Sequence, residues 1–191
     1  MAQHPIMAEY NPTSVNTIRI VTYRDFLKRR KVFYACLRFS EKDSVMDNVC
    51  SGGGGNVDAC IDMETGMLKY AIQFDGLGKD VEITHHPDSG ALLEGVKIEH
   101  WSEIVEQVLQ FQECFPYCKA AGWDIAITDE GPVVIEVNDF WDRTGQYFIH
   151  RGWRNEIRDC YLAWKATGKN YATGSWRLPF KNKRLMAKYN Q

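Results

Sequence analysis

The chain has 191 residues, 45% of them apolar and 25% charged, with a formal net charge of −2. That length suits one domain with a real core rather than two. The charge argues against a dedicated nucleic-acid binder, which carries a clear basic excess, and no apolar run approaches the roughly 18 residues of a membrane span. Residues 1–12 show neither a basic start nor an apolar stretch, so no signal peptide is read there. Six cysteines (Cys36, Cys50, Cys60, Cys114, Cys118 and Cys160) show no CxxC spacing. They read as reduced thiols of a cytoplasmic protein. Cys114 and Cys118 lie one helical turn apart, too few ligands for a zinc site.

Residues 17–22 read as a strand by their β-branched content, a charged loop follows over Arg24 to Lys31, and residues 32–39 read as the return strand. Ser51 and the run Gly52 to Gly55 exclude a regular element interior. Val57 to Ile61 is a short strand, Asp62 to Gly66 a turn, and Met67 to Phe74 another strand. Residues 75–100 are rich in Gly and Pro and read as loop, with His85 and His86 as surface residues. Ser102 is a candidate N-cap for a helix through Ile104, Val105, Val108, Leu109 and Phe111, which Pro116 should kink or divide. A hairpin occupies 123–138, and a second helix spans roughly 152–166, closed by Gly168. From Lys165 the chain carries seven Lys or Arg and no acid. The stretch 169–191 reads as a solvated basic tail.

The hairpin carries the chemistry. Trp123 to Thr128 and Pro132 to Asn138 flank Asp129, Glu130 and Gly131. A three-residue loop wants a left-handed residue at its last position, which Gly131 supplies, and Pro132 can open a strand without breaking the ladder. This loop pairs Thr128 with Pro132, and counting back pairs Asp124 with Glu136. Asn138, two residues on, shares their face. The other face holds Trp123, Ile125, Ile127, Val133, Ile135 and Val137 and reads as buried. Two carboxylates directly across a ladder repel, so a positive charge should compensate them. Oxygen ligands at this spacing suit Mg²⁺ bridging substrate phosphates. Gly122, opposite Asn138, is expected to leave room for a ligand. A two-residue loop would shift the register and move Asp124 to the wrong face. Solvent-exposed acids on an ordinary hairpin are the alternative reading.

Arg19 and Arg38 sit on neighbouring strands and can converge, and guanidinium groups bind phosphate oxygens bidentately. The amides of residues 52–55 could cradle an anion. No Ser-His-Asp or Cys-His arrangement for nucleophilic catalysis is visible.

At these residues the sequence resembles the ATP-grasp superfamily, and more narrowly its sugar-transfer-associated branch, near the glutamate-adding ligases. The matching stretches are Gln3-His4-Pro5, Ser14 through Arg19, Asp47-Asn48, Gly52 through Gly55, His86-Pro87 with Gly90, and Gly122 through Asn138. The resemblance implies an α+β fold, the C-terminal ATP-grasp lobe, mainly an antiparallel sheet with flanking helices and forming a single domain. It implies ATP and Mg²⁺ as cofactors, with Asp124, Glu136 and Asn138 as metal ligands and Arg19 neutralising phosphate. Arg38, followed by Asn48 and the glycine run with Gly53 and Gly54, resembles the acceptor and acyl-phosphate side. The implied activity is an ATP-dependent carboxylate–amine or carboxylate–thiol ligase acting through an acyl phosphate on small-molecule substrates. A complete ATP-grasp fold places an earlier lobe before these motifs. Its contribution is expected from a segment not seen here or from a separate chain. A non-catalytic binding module derived from the same scaffold is the competing reading.

Overall fold

A computed structural model describes residues 3–25, 29–41, 44, 56–74, 79–115, 118–141 and 145–166, with backbone only at 160, 161 and 163–165. Asn48, Gly53, Gly54, the rest of the glycine run, Pro116, Gly168 and the basic tail lie outside the described residues.

Among the described residues seven strands form one sheet: β1 (Thr17–Arg24), β2 (Arg30–Phe39), β3 (Val57–Ile61), β4 (Leu68–Gln73), β5 (Val81–Ile83), β6 (Ala120–Thr128) and β7 (Gly131–Asn138). Their order is β5-β4-β3-β2-β1-β6-β7, and each neighbouring pair is antiparallel. Among the described residues four α-helices accompany it: α1 (Pro5–Ala8), α2 (Trp101–Phe111), α3 (Gly145–Phe148) and α4 (Arg154–Ala166). This is an α+β fold built on an antiparallel sheet, as the sequence implies.

The two sheet faces differ in what they bury. Because side chains alternate along a strand, Ile18, Ile20, Ala35, Leu37, Phe39, Ala59, Trp123 and Ile125 point to one side. There they pack with Trp101, Ile104 and Val108 of α2. The opposite side is split. Val21, Tyr23, Phe33, Tyr34, Trp141, Phe148 and Trp153 make a largely aromatic layer at one end, and at the other lie the buried Arg38, Asp58 and Asp124 with the partly buried Arg19. The N-terminal segment is laced to this second end. Gln3 bridges to Thr128, His4 N–H donates to Ile127 O at 2.8 Å, and buried Asn11 donates to Ser40 O at 3.1 Å and Glu41 O at 2.8 Å.

Three expectations need correction. Helix α2 begins at Trp101, with His100 at the N-cap position and no side-chain capping bond, so Ser102 lies inside the first turn. The start is fixed by packing: Trp101 is buried and its Nε1 donates to Met63 O at 3.0 Å. The helix stops at Phe111 and tightens into a 3₁₀ turn over Gln112–Cys114 before Pro116 is reached. Within the stretch read as loop, Val81–Ile83 pairs with β4 as a short edge strand, too brief to show a period. Finally, His86 is buried, with its ring edge-on to Phe39 at 5.5 Å between centroids, while His85 is exposed.

Burial pushes the His86 pKa below its ordinary 6.5, which has a consequence for stability. Between that value and the lower folded one, the unfolded chain binds a proton that the folded chain refuses. Stability therefore falls as pH drops through about 6.5. Thermal melts from pH 7.5 to 5.5 should show this decline, and His86→Phe should flatten that portion of the curve.

Candidate functional site

The polar end of the second face is organised in two adjacent rows across the sheet. Strand pairing sets Cys60, Cys36, Arg19, Asp124 and Glu136 side by side on β3, β2, β1, β6 and β7. The next row holds Asp58, Arg38, Thr17, Ala126 and Val133. Arginines on β1 and β2 thus flank one carboxylate on β6.

The contacts follow from that placement. Arg19 donates to both oxygens of Asp124, through Nε to Oδ1 and through Nη2 to Oδ2 at 3.0 Å. Arg38 Nη2 lies 3.1 Å from the same Oδ2, and its Nε and Nη2 donate to Thr17 Oγ1 at 3.1 and 2.6 Å. The side chains of Arg19, Arg38 and Asp124 are 12%, 7% and 7% exposed. Burial alone would pull the Arg19 pKa down, but the hydrogen bond and charge of Asp124 outweigh it and hold that pKa above the usual range. Two guanidinium groups converge on one carboxylate, with the buried Asp58 directly across from Arg38, and guanidinium N–H donors are of a kind suited to anionic oxygens.

Asp124 pairs with Glu136, and Gly122 with Asn138. The route to that pairing differs from the expected one. Gly131 has φ +108, but it pairs with Thr128, so only Asp129 and Glu130 lie in the loop. That shorter loop alone would turn Asp124 away from Glu136. A bulge on β7 intervenes: Ile125 faces Val134 while Asp124 faces Glu136, leaving Ile135 as the extra residue. One inserted residue offsets one missing loop residue.

The bulge also changes which apolar residues are covered. Trp123 and Ile125 are buried, but Val133, Ile135 and Val137 are exposed by 36% or more. β7 is the sheet edge, and Val133 shares the face of Asp124 rather than opposing it. Gly122 does not leave room for a ligand. A Cβ there would meet Trp141 Cβ at 2.9 Å and Arg19 Cδ at 3.5 Å. The missing side chain lets Trp141 and Arg19 pack against the strand.

Among the described residues, no group of three or more His, Cys, Asp or Glu is placed to hold a metal ion. Two carboxylates and an amide oxygen remain, of a type that hard cations accept. Glu136 is exposed, and among the described residues its side chain has no hydrogen bond or ion pair. Asp124 already serves Arg19 and Arg38, so a cation would share its oxygens with them. The set fits Mg²⁺ by donor chemistry, with Glu136 and Asn138 as the uncommitted members.

Sequence reasoning passed over Thr17, Asp58 and Trp141. Thr17 lies two residues before Arg19 and so shares its face. Asp58 is a lone acid in the apolar run Val57–Ile61, buried and directly across from Arg38. Either feature was available as a signal. Trp141 follows β7 and reaches the site through space only. On the opposite sheet face, a separate cleft of about 390 Å³ is lined by His4, Lys97, His100, Ile127 and Pro132 among others, and it contains none of the arginine-site residues.

Among the described residues, no helix is long and apolar enough to cross a membrane. No curated protein and no solved structure matches the chain. The family described as sugar-transfer associated ATP-grasp matches residues 1–159, a span that takes in the whole sheet, both arginines and the Asp124–Glu136 hairpin. The chain belongs to that family.

Proposed function

We propose that the chain acts as the phosphate- and metal-handling part of an ATP-dependent ligase. It would activate a small-molecule carboxylate as an acyl phosphate for an amine or thiol acceptor. The observation that supports this reading is the convergence of Arg19 and Arg38 on Asp124, with Glu136 directly across the ladder and uncommitted.

In this reading Arg19 and Arg38 bind anionic oxygens and spread the charge that develops as a phosphoryl group moves. Asp124 fixes the plane of the Arg19 guanidinium, and Thr17 fixes that of Arg38. Glu136 and Asn138, with a share of Asp124, would hold Mg²⁺, which when bound supplies charge neutralisation at the phosphate oxygens. The buried surroundings strengthen each of these interactions relative to water.

A second reading has its own observation. Both oxygens of Asp124 are engaged by arginines, so the network is satisfied without any ligand, as in a non-catalytic module that keeps the scaffold. Calorimetric titration with Mg-ATP separates the two. The ligase reading expects Mg-dependent heat with the wild type. It expects binding weakened by roughly 10–100-fold in Glu136→Ala, the range seen when even a supporting partner of a metal site is lost. Asp124→Asn should weaken binding as well. Absence of Mg-dependent nucleotide heat in the folded wild type rules out the ligase reading for this chain.

A further inference from the structure

Two thiols lie in the same row as Arg19, and one of them, Cys36, donates weakly through Sγ to Asp58 Oδ2 at 4.0 Å. Cys36 on β2 and Cys60 on β3 are direct partners in the strand register. Both are buried and reduced, at 1% and 6% exposure. Directly opposed residues of an antiparallel pair share a face and have Cα atoms roughly 4.5–5.5 Å apart. That separation falls within the roughly 4.4–6.8 Å that a disulfide bridges. The local backbone also has latitude. The β3–β4 register shifts between Ala59 and Ile61, so Cys60 sits at the irregularity itself, where a strand can twist to bring its Cβ closer.

We propose that Cys36 and Cys60 are a modification site, a cross-strand dithiol that a small-molecule disulfide converts reversibly to an intramolecular disulfide. Cys60 is the less enclosed thiol and is the attacking group. Its thiolate displaces one thiolate from the oxidant and forms a mixed disulfide. Cys36 then attacks the Cys60 sulfur, and its proton passes to the second small thiolate as that group leaves. Two protein thiols are oxidised, and the S–S bond of the oxidant is reduced to two thiols. Burial raises both thiol pKa values, which slows the exchange at neutral pH without changing its product. The pair adjoins Arg19 in the row and Arg38 two residues along β2, so the bond would fix β2 to β3 beside the arginine site. This inference stands on strand pairing and does not depend on the ligase reading.

The test uses the full chain, folded, incubated with oxidised glutathione. The protein is then denatured, free thiols are alkylated, and the chain is digested without reduction for mass spectrometry. Cys114, which is exposed and reduced, reports internally that the oxidant has acted. The expected result is a linked pair of peptides containing Cys36 and Cys60, abolished by dithiothreitol. In Cys36→Ser, Cys60 should instead carry glutathione and no cross-link. If Cys114 is oxidised while Cys36 and Cys60 are recovered alkylated, the proposal is wrong. Separate mixed disulfides on the two wild-type cysteines would overturn it equally.

Discussion

Asp124→Ala is expected to destabilise the fold by about 3–5 kcal/mol, the cost of leaving buried charges without their partner. Asp124 is 7% exposed and accepts from two guanidinium groups that are nearly as buried. Removing it leaves Arg19 and Arg38 facing each other across one strand position with no carboxylate between them. A chain of this size loses about 2–4 °C of Tm per kcal/mol, so the melting temperature should fall by on the order of 10 °C. Asp124→Asn keeps one carbonyl acceptor and the side-chain volume and should lose less. Glu136→Ala should change stability by no more than about 0.5 kcal/mol, because an exposed side chain without intramolecular partners contributes little. The contrast between the two acids is measurable by thermal melts alone. A matching loss in both variants would mean that Glu136 is part of the folded network.

Trp153→Ala should have an effect of similar size, about 3–5 kcal/mol, for a different reason. Trp153 is fully buried, stacked at 4.8 Å on Tyr34 and 5.6 Å on Phe33, and 5.2 Å from Trp141. Its backbone anchors α4, since Ile157 N–H donates to Trp153 O at 2.9 Å, and Gln146 Oε1 accepts from Trp153 N–H at 2.9 Å. The truncation therefore opens a cavity and loosens the attachment of residues 145–166. Trp153→Phe should cost under about 1.5 kcal/mol, because the indole Nε1 has no hydrogen-bond partner among the described residues. Denaturant melts of the two variants check this. Equal losses would indicate that the indole nitrogen matters more than ring packing.

The strands around the site were readable from the β-branched content of Thr17–Arg24 and the continuous apolar run Val32–Leu37 within Arg30–Phe39. The α2 helix was readable because Ile104 and Val108 recur at helical spacing. What could not be read is where tertiary packing overrides local preference. Ser102 is the better capping residue, but burying Trp101 moves the N-cap two residues earlier, to His100. His86 sits in a Pro/Gly stretch that looks like surface and is closed over by Tyr10 and Phe39, which are 76 and 47 residues away in sequence. The facing of Asp124 and Glu136 was inferred from a loop one residue too long, and a bulge that leaves no sequence signature restored it. The pairing of Arg19 and Arg38 with Asp124 needed the strand order β2-β1-β6, which no local pattern specifies.

The Ile135 bulge gives the hairpin two independent phases. Between the loop and Val134, the strands keep time with a two-residue turn; beyond Ile135, they keep time with the row of Arg19 and Asp124. The tip of the hairpin can thus vary in length without moving the carboxylates, provided that Ile135 is gained or lost in step. The geometry of the charged row is carried by its own half of the ladder, insulated from the part of the hairpin most open to insertion and deletion.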